Sequence, residues 1–303
     1  MKFDIVALGE PLYELNQQPD GRFLPGFGGD TSNVAIAASR LGARCAYVTK
    51  LGTDAPGAAF LDLWKNEGVD TSGVSRSDSA ATGLYLVTHS AEGHEFSYYR
   101  KGSAASLMTR GDVRTDLIRN AKYLHVSAIS QAISSSARDT VAHAIALAAS
   151  SGGALSFDTN LRLKLWSLEE AKAAIETAAR RAAILKTSQD DAIKLTGMAE
   201  PAQIARYFRE LGSLSVIVTL GADGVFVSAG DGDFLVAGRK VKAVDATGAG
   251  DAFTGALLAE LCRGQQLRLA VEFANAAAAL STQGYGAVAP LPRRHEVAAF
   301  LAG

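Results

Sequence analysis

Short apolar runs of strand length alternate with helix-period segments from one end of this 303-residue chain to the other, and no other feature limits the possible folds as sharply. Strands read as unbroken apolar runs only when both faces are covered, so the pattern predicts a parallel sheet packed between layers of helices. Strands are expected at 5–8, 45–50, 123–126, 155–158, 183–186 and 216–220. Helices are expected near 33–41, 58–66, 136–150, 168–182, 201–211 and 251–262, several stopped by a glycine such as Gly42, Gly68 or Gly212. The fold class implied is α/β: a doubly wound, mostly parallel sheet with helices on both faces.

Two stretches break the alternation. Residues 84–88 and 96–100 flank a polar turn around Ala91, Glu92 and Gly93 and read as a β-hairpin, and residues 12–27 lack helical period. With no low-complexity linker or internal repeat, the expectation is one domain over 1–303 carrying a small β lid formed by 12–27 and 83–103.

Composition closes off several classes. At 48% hydrophobic the chain can bury a large core, which suits a globular enzyme. Thirty basic and 31 acidic residues nearly cancel without long single-sign runs, so no nucleic-acid footprint is expected. Cys45 and Cys262 stand far apart and read as free thiols of a cytoplasmic protein. The N-terminus lacks an export signal, and the apolar stretches 252–261 and 267–280 are too short or too interrupted to span a bilayer, so no membrane association is expected. The five histidines show no zinc spacing, and neither a Gly-x-x-x-x-Gly-Lys-Ser/Thr loop nor a Gly-x-Ser-x-Gly elbow occurs.

The segment richest in chemistry is Asp245-Ala-Thr247-Gly248-Ala249-Gly250-Asp251-Ala-Phe, a lead into a small-residue turn and then an apolar helix. Such a turn exposes consecutive N–H groups at a helix N-terminus, where donors and dipole favour an anion. Asp251 there faces the place where phosphate charge would collect, which suits a carboxylate that takes a proton from an attacking hydroxyl. By spacing alone, a tight turn with a favourable first-turn charge fits equally. Two further glycine turns, Thr219-Leu-Gly221-Ala-Asp-Gly224 and Gly28-Gly29-Asp30-Thr31-Ser32-Asn33, suit a site that holds a nucleotide and a second ligand.

Residues 245–253 resemble the C-terminal signature of the ribokinase-like (PfkB) carbohydrate kinases, and Gly28-Gly29-Asp30-Thr31-Ser32-Asn33-Val34-Ala35, followed by Leu41-Gly42, resembles the N-terminal one. The similarity spans essentially the whole chain. It implies ATP with Mg²⁺ as cofactors, Asp251 as the catalytic base, and an anion hole from the backbone of Gly248, Ala249 and Gly250. It places Thr219, Gly221, Gly224 and Asn275 around the nucleotide, and a monovalent cation such as K⁺ near Asp245 and Thr247. Ser188 and Asp191 stand where the family shows Asn and Glu of an Asn-x-x-Glu motif, with Ser188 beside the nucleotide and Asp191 reaching the metal through water. A homo-oligomer is also implied.

The substrate must be read from other side chains. Strand alternation puts Phe96, Tyr98 and Arg100 on one lid face, and Arg162 follows the C-terminal end of a buried strand. Two arginines converging on one pocket favour a carboxylate. Gly-Gly-Asp-Thr and Tyr-Tyr-Arg-Lys-Gly-Ser-Ala resemble the 2-keto-3-deoxygluconate kinase branch, which implies that Gly29, Asn33, Tyr85, Tyr98, Arg100 and Arg162 hold a sugar acid with its C6 hydroxyl towards Asp251. A kinase of fructose, another neutral sugar or a nucleoside is the alternative, and a catalytically dead sugar sensor is a more remote one.

Overall fold

A computed structural model describes residues 2–90 and 93–303, so Ala91 and Glu92 of the expected turn lie outside the described residues. Its strands, in chain order, are β1 (Phe3–Leu8), β2 (Leu12–Gln17), β3 (Phe23–Gly28), β4 (Cys45–Gly52), β5 (Asp70–Ser77), β6 (Leu84–Ser90) and β7 (Gly93–Tyr99), then β8 (Ala121–Ser127), β9 (Ala154–Asp158), β10 (Ala182–Ser188), β11 (Ser215–Thr219), β12 (Gly224–Ala229) and β13 (Gly232–Ala237). Nine of them form one sheet in the order β13-β12-β11-β10-β9-β8-β1-β4-β5, in which every pairing from β5 to β11 is parallel. Helices cover both faces. Alternate residues of a strand therefore enter different cores: Val6 and Leu8 join Leu124, Phe157 and Val216 on one side, while Ile5 and Ala7 join Tyr47, Ile184 and Ile217 on the other.

All six expected strands are present. Three more were illegible in the sequence: β5 is polar and lies at the sheet edge, while β12 and β13 form an antiparallel hairpin at the opposite edge, where β13 is mostly exposed. The helix expected over 168–182 ends at Ala179, because Ala182 already begins β10. Residues 12–28 and 84–99 pair into a separate four-stranded sheet, β3-β2-β6-β7, in which β2 and β6 run parallel and the outer pairs antiparallel.

The parallel strands all end at one edge of the large sheet, where ligands of α/β proteins bind. Two helices bring opposite ends of the chain to that edge. Helix Asp30–Arg40 crosses helix Ala249–Cys262 so closely that a Cβ on Gly255 would lie 2.6 Å from the Ala37 Cβ and 2.8 Å from the Val34 oxygen. Gly255→Ala is therefore expected to lower stability by roughly 1–3 kcal/mol through overpacking. The check is the urea midpoint, and an unchanged midpoint would show that the helices can separate at no cost.

Candidate active site

Gly248, at φ +75°, caps helix Ala249–Cys262 in the left-handed region, and a Cβ there would crowd Ala287. The turn does not leave three open amides. The Ala249 N–H is used within the turn on the Ala246 carbonyl, whereas those of Gly248 and Gly250 make no hydrogen bond among the described residues. Of the three amides expected to form an anion hole, two are therefore without a hydrogen-bond partner among the described residues, and both lie at the positive end of the helix dipole.

Asp251 lies in the first turn of this helix and is 9% exposed. Its Oδ2 accepts a hydrogen bond from Asn33 Nδ2 at 2.8 Å, and no hydrogen bond among the described residues occupies Oδ1. Burial, reinforced by the carboxylates of Asp30 and Asp158, holds its pKa at about 8, although Asn33 and Lys186 act in the opposite direction. The Oδ1 atom of Asn33 is buried without a partner.

Around Asp251 lies a charged network whose members, Asp30, Asp158 and Lys186, were given no role by the sequence motifs. Asp30 accepts from its neighbour Thr31 N at 2.8 Å and from Asn160 Nδ2 at 2.8 Å. Asp158, the last residue of β9, accepts from Asn160 N at 3.1 Å and pairs with Lys186 Nζ at 2.8 Å. His125 sits beneath, bonded through Nδ1 to Ser156 Oγ at 3.0 Å, and burial keeps it neutral with a pKa lowered to about 4. A visible signal for Lys186 was a lone cation following the apolar run 182–185 of a buried strand.

The small sheet supplies the other wall. Tyr85, Phe96 and Tyr98 touch one another ring to ring, and the Arg100 guanidinium lies 5.8 Å from the Tyr98 ring centre. Tyr85 donates to Glu14, while its hydroxyl lies 2.8 Å from where a Cβ on Gly28 would stand. Gly29, at φ +106°, packs its backbone against Glu10 and Pro11.

The two arginines have different settings. Arg100 is paired with the fully buried Glu10, whose other oxygen accepts from Ser103 Oγ at 2.7 Å, and the Arg100 Nε is buried without a partner. Arg162 is exposed and donates to the Leu161 carbonyl. Strand alternation placed Arg100 on the same lid face as Phe96 and Tyr98, and the structure adds that its guanidinium is already paired with Glu10. A cleft of about 1180 Å³ opens between this sheet and residues 244–247 and 285–289, with Glu14, Val87, Phe96 and Gly286 in its walls but not Asp251.

Ser188 caps helix Gln189–Thr196 by accepting from Asp191 N, and Asp191 Oδ2 in turn accepts from Leu161 N at 3.1 Å. Burial raises the Asp191 pKa. No group of three or more metal-ligating side chains occurs among the described residues. One or two carboxylates beside a phosphate site suit a divalent ion that keeps most of its waters, and Asp191 with Asp158 fits that pattern. Asp245 Oδ1 accepts from Thr247 N and Oγ1, and its Oδ2 accepts from Gly286 N, so this carboxylate clips two loops together.

At the far end of the edge, Thr219 closes β11, Gly221 turns the chain at φ +60°, and a Cβ on Gly224 would lie 2.1 Å from the Val236 carbonyl. Asn275 Nδ2 donates to the Ala237 carbonyl at 2.8 Å. Ala237 also lines a groove of about 660 Å³ with Gly238, Lys240, Glu272 and Phe300.

Comparison with known proteins converges on one group. Residues 2–294 match the family described as pfkB family carbohydrate kinase. The chain is 38% identical to Fructokinase-1 of Zea mays over 311 residues, covering 97% of this chain and 96% of that one. It is 34% identical to 2-dehydro-3-deoxygluconokinase of Bacillus subtilis (strain 168), over 99% of this chain and 96% of the other. It also superposes at a TM-score of 0.90 on the fructokinase of Vibrio cholerae O395 in its fructose, ADP and calcium-bound form, with 30% identity over 99% of this chain and 100% of that one. No helix among the described residues is long and apolar enough to cross a membrane.

Proposed function

Because this chain belongs to the pfkB family of carbohydrate kinases, we propose that it transfers the γ-phosphoryl group of ATP to the C6 hydroxyl of a sugar acid, 2-keto-3-deoxygluconate, with Asp251 as the base. The observation that carries the transfer step is a buried carboxylate with Oδ2 fixed by Asn33 and Oδ1 open, set at a helix N-terminus with two unused amides. The sugar hydroxyl gives its proton to Asp251 and its oxygen attacks the γ-phosphorus, while the bond to the β,γ-bridging oxygen breaks and ADP leaves. Charge on the equatorial oxygens is met by the amides of Gly248 and Gly250. Thr219, Gly221, Gly224 and Asn275 border the nucleotide in this reading, with Ser188 holding Asp191 in place. Magnesium on the nucleotide would supply charge neutralisation, and Asp191 would hold its water shell.

The acid substrate is supported by Arg100, whose buried Nε has no partner beside Tyr85 and Tyr98. A neutral sugar such as fructose is the second reading, favoured by Glu10, which already neutralises that guanidinium. Turnover of 2-keto-3-deoxygluconate, fructose and ribose at fixed ATP separates them. In the first reading, Arg100→Ala raises KM for the acid by roughly 10–100-fold more than for fructose, the worth of a charge-assisted hydrogen bond. Preference for fructose in the native enzyme, or equal effects of Arg100→Ala on both sugars, would select the second reading.

A further inference from the structure

We infer that Lys186 is a catalytic residue, whose ammonium group binds the phosphoryl group as it passes over residues 248–251. The inference rests on reading Asp251 and that turn as the transfer site. Three observations carry it.

The first is position. The Lys186 Nζ lies 3.2 Å from where a Cβ on Gly250 would stand, so the ammonium occupies the space directly above the turn. That space exists only because residue 250 has no side chain, and the Gly250 N–H beside it is one of the two unused donors. A cation and an amide thus converge on one small volume.

The second is unspent donor capacity. An ammonium group carries three N–H donors. Asp158 takes one at 2.8 Å, and no other hydrogen bond of Nζ occurs among the described residues. Both partners are deeply buried, with side chains 8% and 5% exposed. A buried ion pair contributes little to stability compared with apolar residues of the same shape. Strand β10 buries Ile184 and Leu185 in the two cores just before Lys186, and a lysine at this place adds no packing that an apolar residue would not.

The third is the charge balance of the transfer itself. Asp30, Asp158, Asp191 and Asp251 all face this edge, and the phosphoryl group brings further negative charge among them. Beyond what magnesium on the nucleotide would neutralise, two amides and a helix dipole oppose four carboxylates weakly. Lys186 is a side-chain cation set among these carboxylates, paired with Asp158 at 2.8 Å and standing over Gly250 next to Asp251. In the reaction it neither gives nor takes a proton: the hydroxyl proton goes to Asp251, the bond from γ-phosphorus to the bridging oxygen breaks, and the ammonium follows the charge from ATP to the new ester.

The test compares Lys186→Met with Lys186→Gln, which removes the charge but keeps a hydrogen-bond donor for the buried Asp158 carboxylate. In whichever of the two melts cooperatively, kcat with ATP and the preferred sugar is expected to fall by roughly 10²–10³-fold, the cost of losing one preorganised donor, while the sugar KM stays within about threefold. Calorimetry should show ATP binding weakened about tenfold and ADP binding nearly unchanged, because only ATP carries the group that Lys186 touches. A kcat within about fivefold of the native value, or equal weakening of ATP and ADP, would overturn the assignment. Asp251→Asn measured alongside separates the two ideas: if it retains turnover, the transfer-site reading has failed, and if it is dead while Lys186→Met works, only the role of Lys186 has failed.

Discussion

Asp251→Asn is expected to lower kcat by at least roughly 10³-fold, towards the upper end of what a positioned general base contributes, while ATP affinity stays within a few-fold. Asparagine fills the same space and can still meet Asn33, so geometry is retained and only the proton acceptor is lost. The native enzyme should show the same group in its pH dependence. Burial and the neighbouring carboxylates raise this pKa to about 8, so kcat/KM should climb with pH and level off only above that value. The stability effect has the opposite sign. A carboxyl whose folded pKa is raised binds its proton more tightly in the native state, so its contribution to stability falls as pH rises from about 4, its unfolded pKa, to about 8. The inactive variant should therefore melt higher than the native enzyme at pH 8 and converge with it near pH 4. Retained turnover in Asp251→Asn, or an acid limb in the ordinary carboxylate range, would remove Asp251 from the role of base.

Glu10→Ala should be nearly as damaging, by a different route. The Glu10 side chain is fully buried just after β1, where it accepts from Arg100 Nη2 and Ser103 Oγ and so ties the end of the small sheet to the large one. Removing it strands a guanidinium that is only 13% exposed, and breaking a buried pair from one side typically costs about 3–5 kcal/mol. A large drop in the urea midpoint is expected, together with a rise in sugar KM of at least about tenfold as Arg100 and Tyr98 lose their anchor. The double variant Glu10→Leu/Arg100→Met removes both charges. It should recover most of the stability but not the KM, which marks Glu10 as acting on the sugar through Arg100. Recovery of both would reduce the pair to a packing device.

The parts that were legible in the sequence are those written in local pattern. Apolar runs located the six central strands, and Gly248-Ala249-Gly250-Asp251 drew attention to the helix start. Patterns of that kind do not report who pairs with whom. The Glu10 partner of Arg100 was not legible because it lies 90 residues away. Lys186 read as part of a strand, because its closeness to Gly250 exists only after β10 and the late helix meet. Ala249 was counted as a donor to the ligand, yet its amide is consumed by a turn whose geometry residue types do not show. Strand β5 escaped notice because an edge strand with one thin face has no alternation to detect.

The hydrogen bond between Asn33 and Asp251 joins residues 218 positions apart. With Asp251 as the proposed base, a growing polypeptide has no reaction centre until residue 251 has emerged, and a fragment ending before helix Ala249–Cys262 is expected to be chemically silent however well its first half folds. Contacts of such long range form late. Recovery of turnover after dilution from denaturant would accordingly lag behind recovery of secondary structure, timing the moment when the two ends of the molecule close on each other.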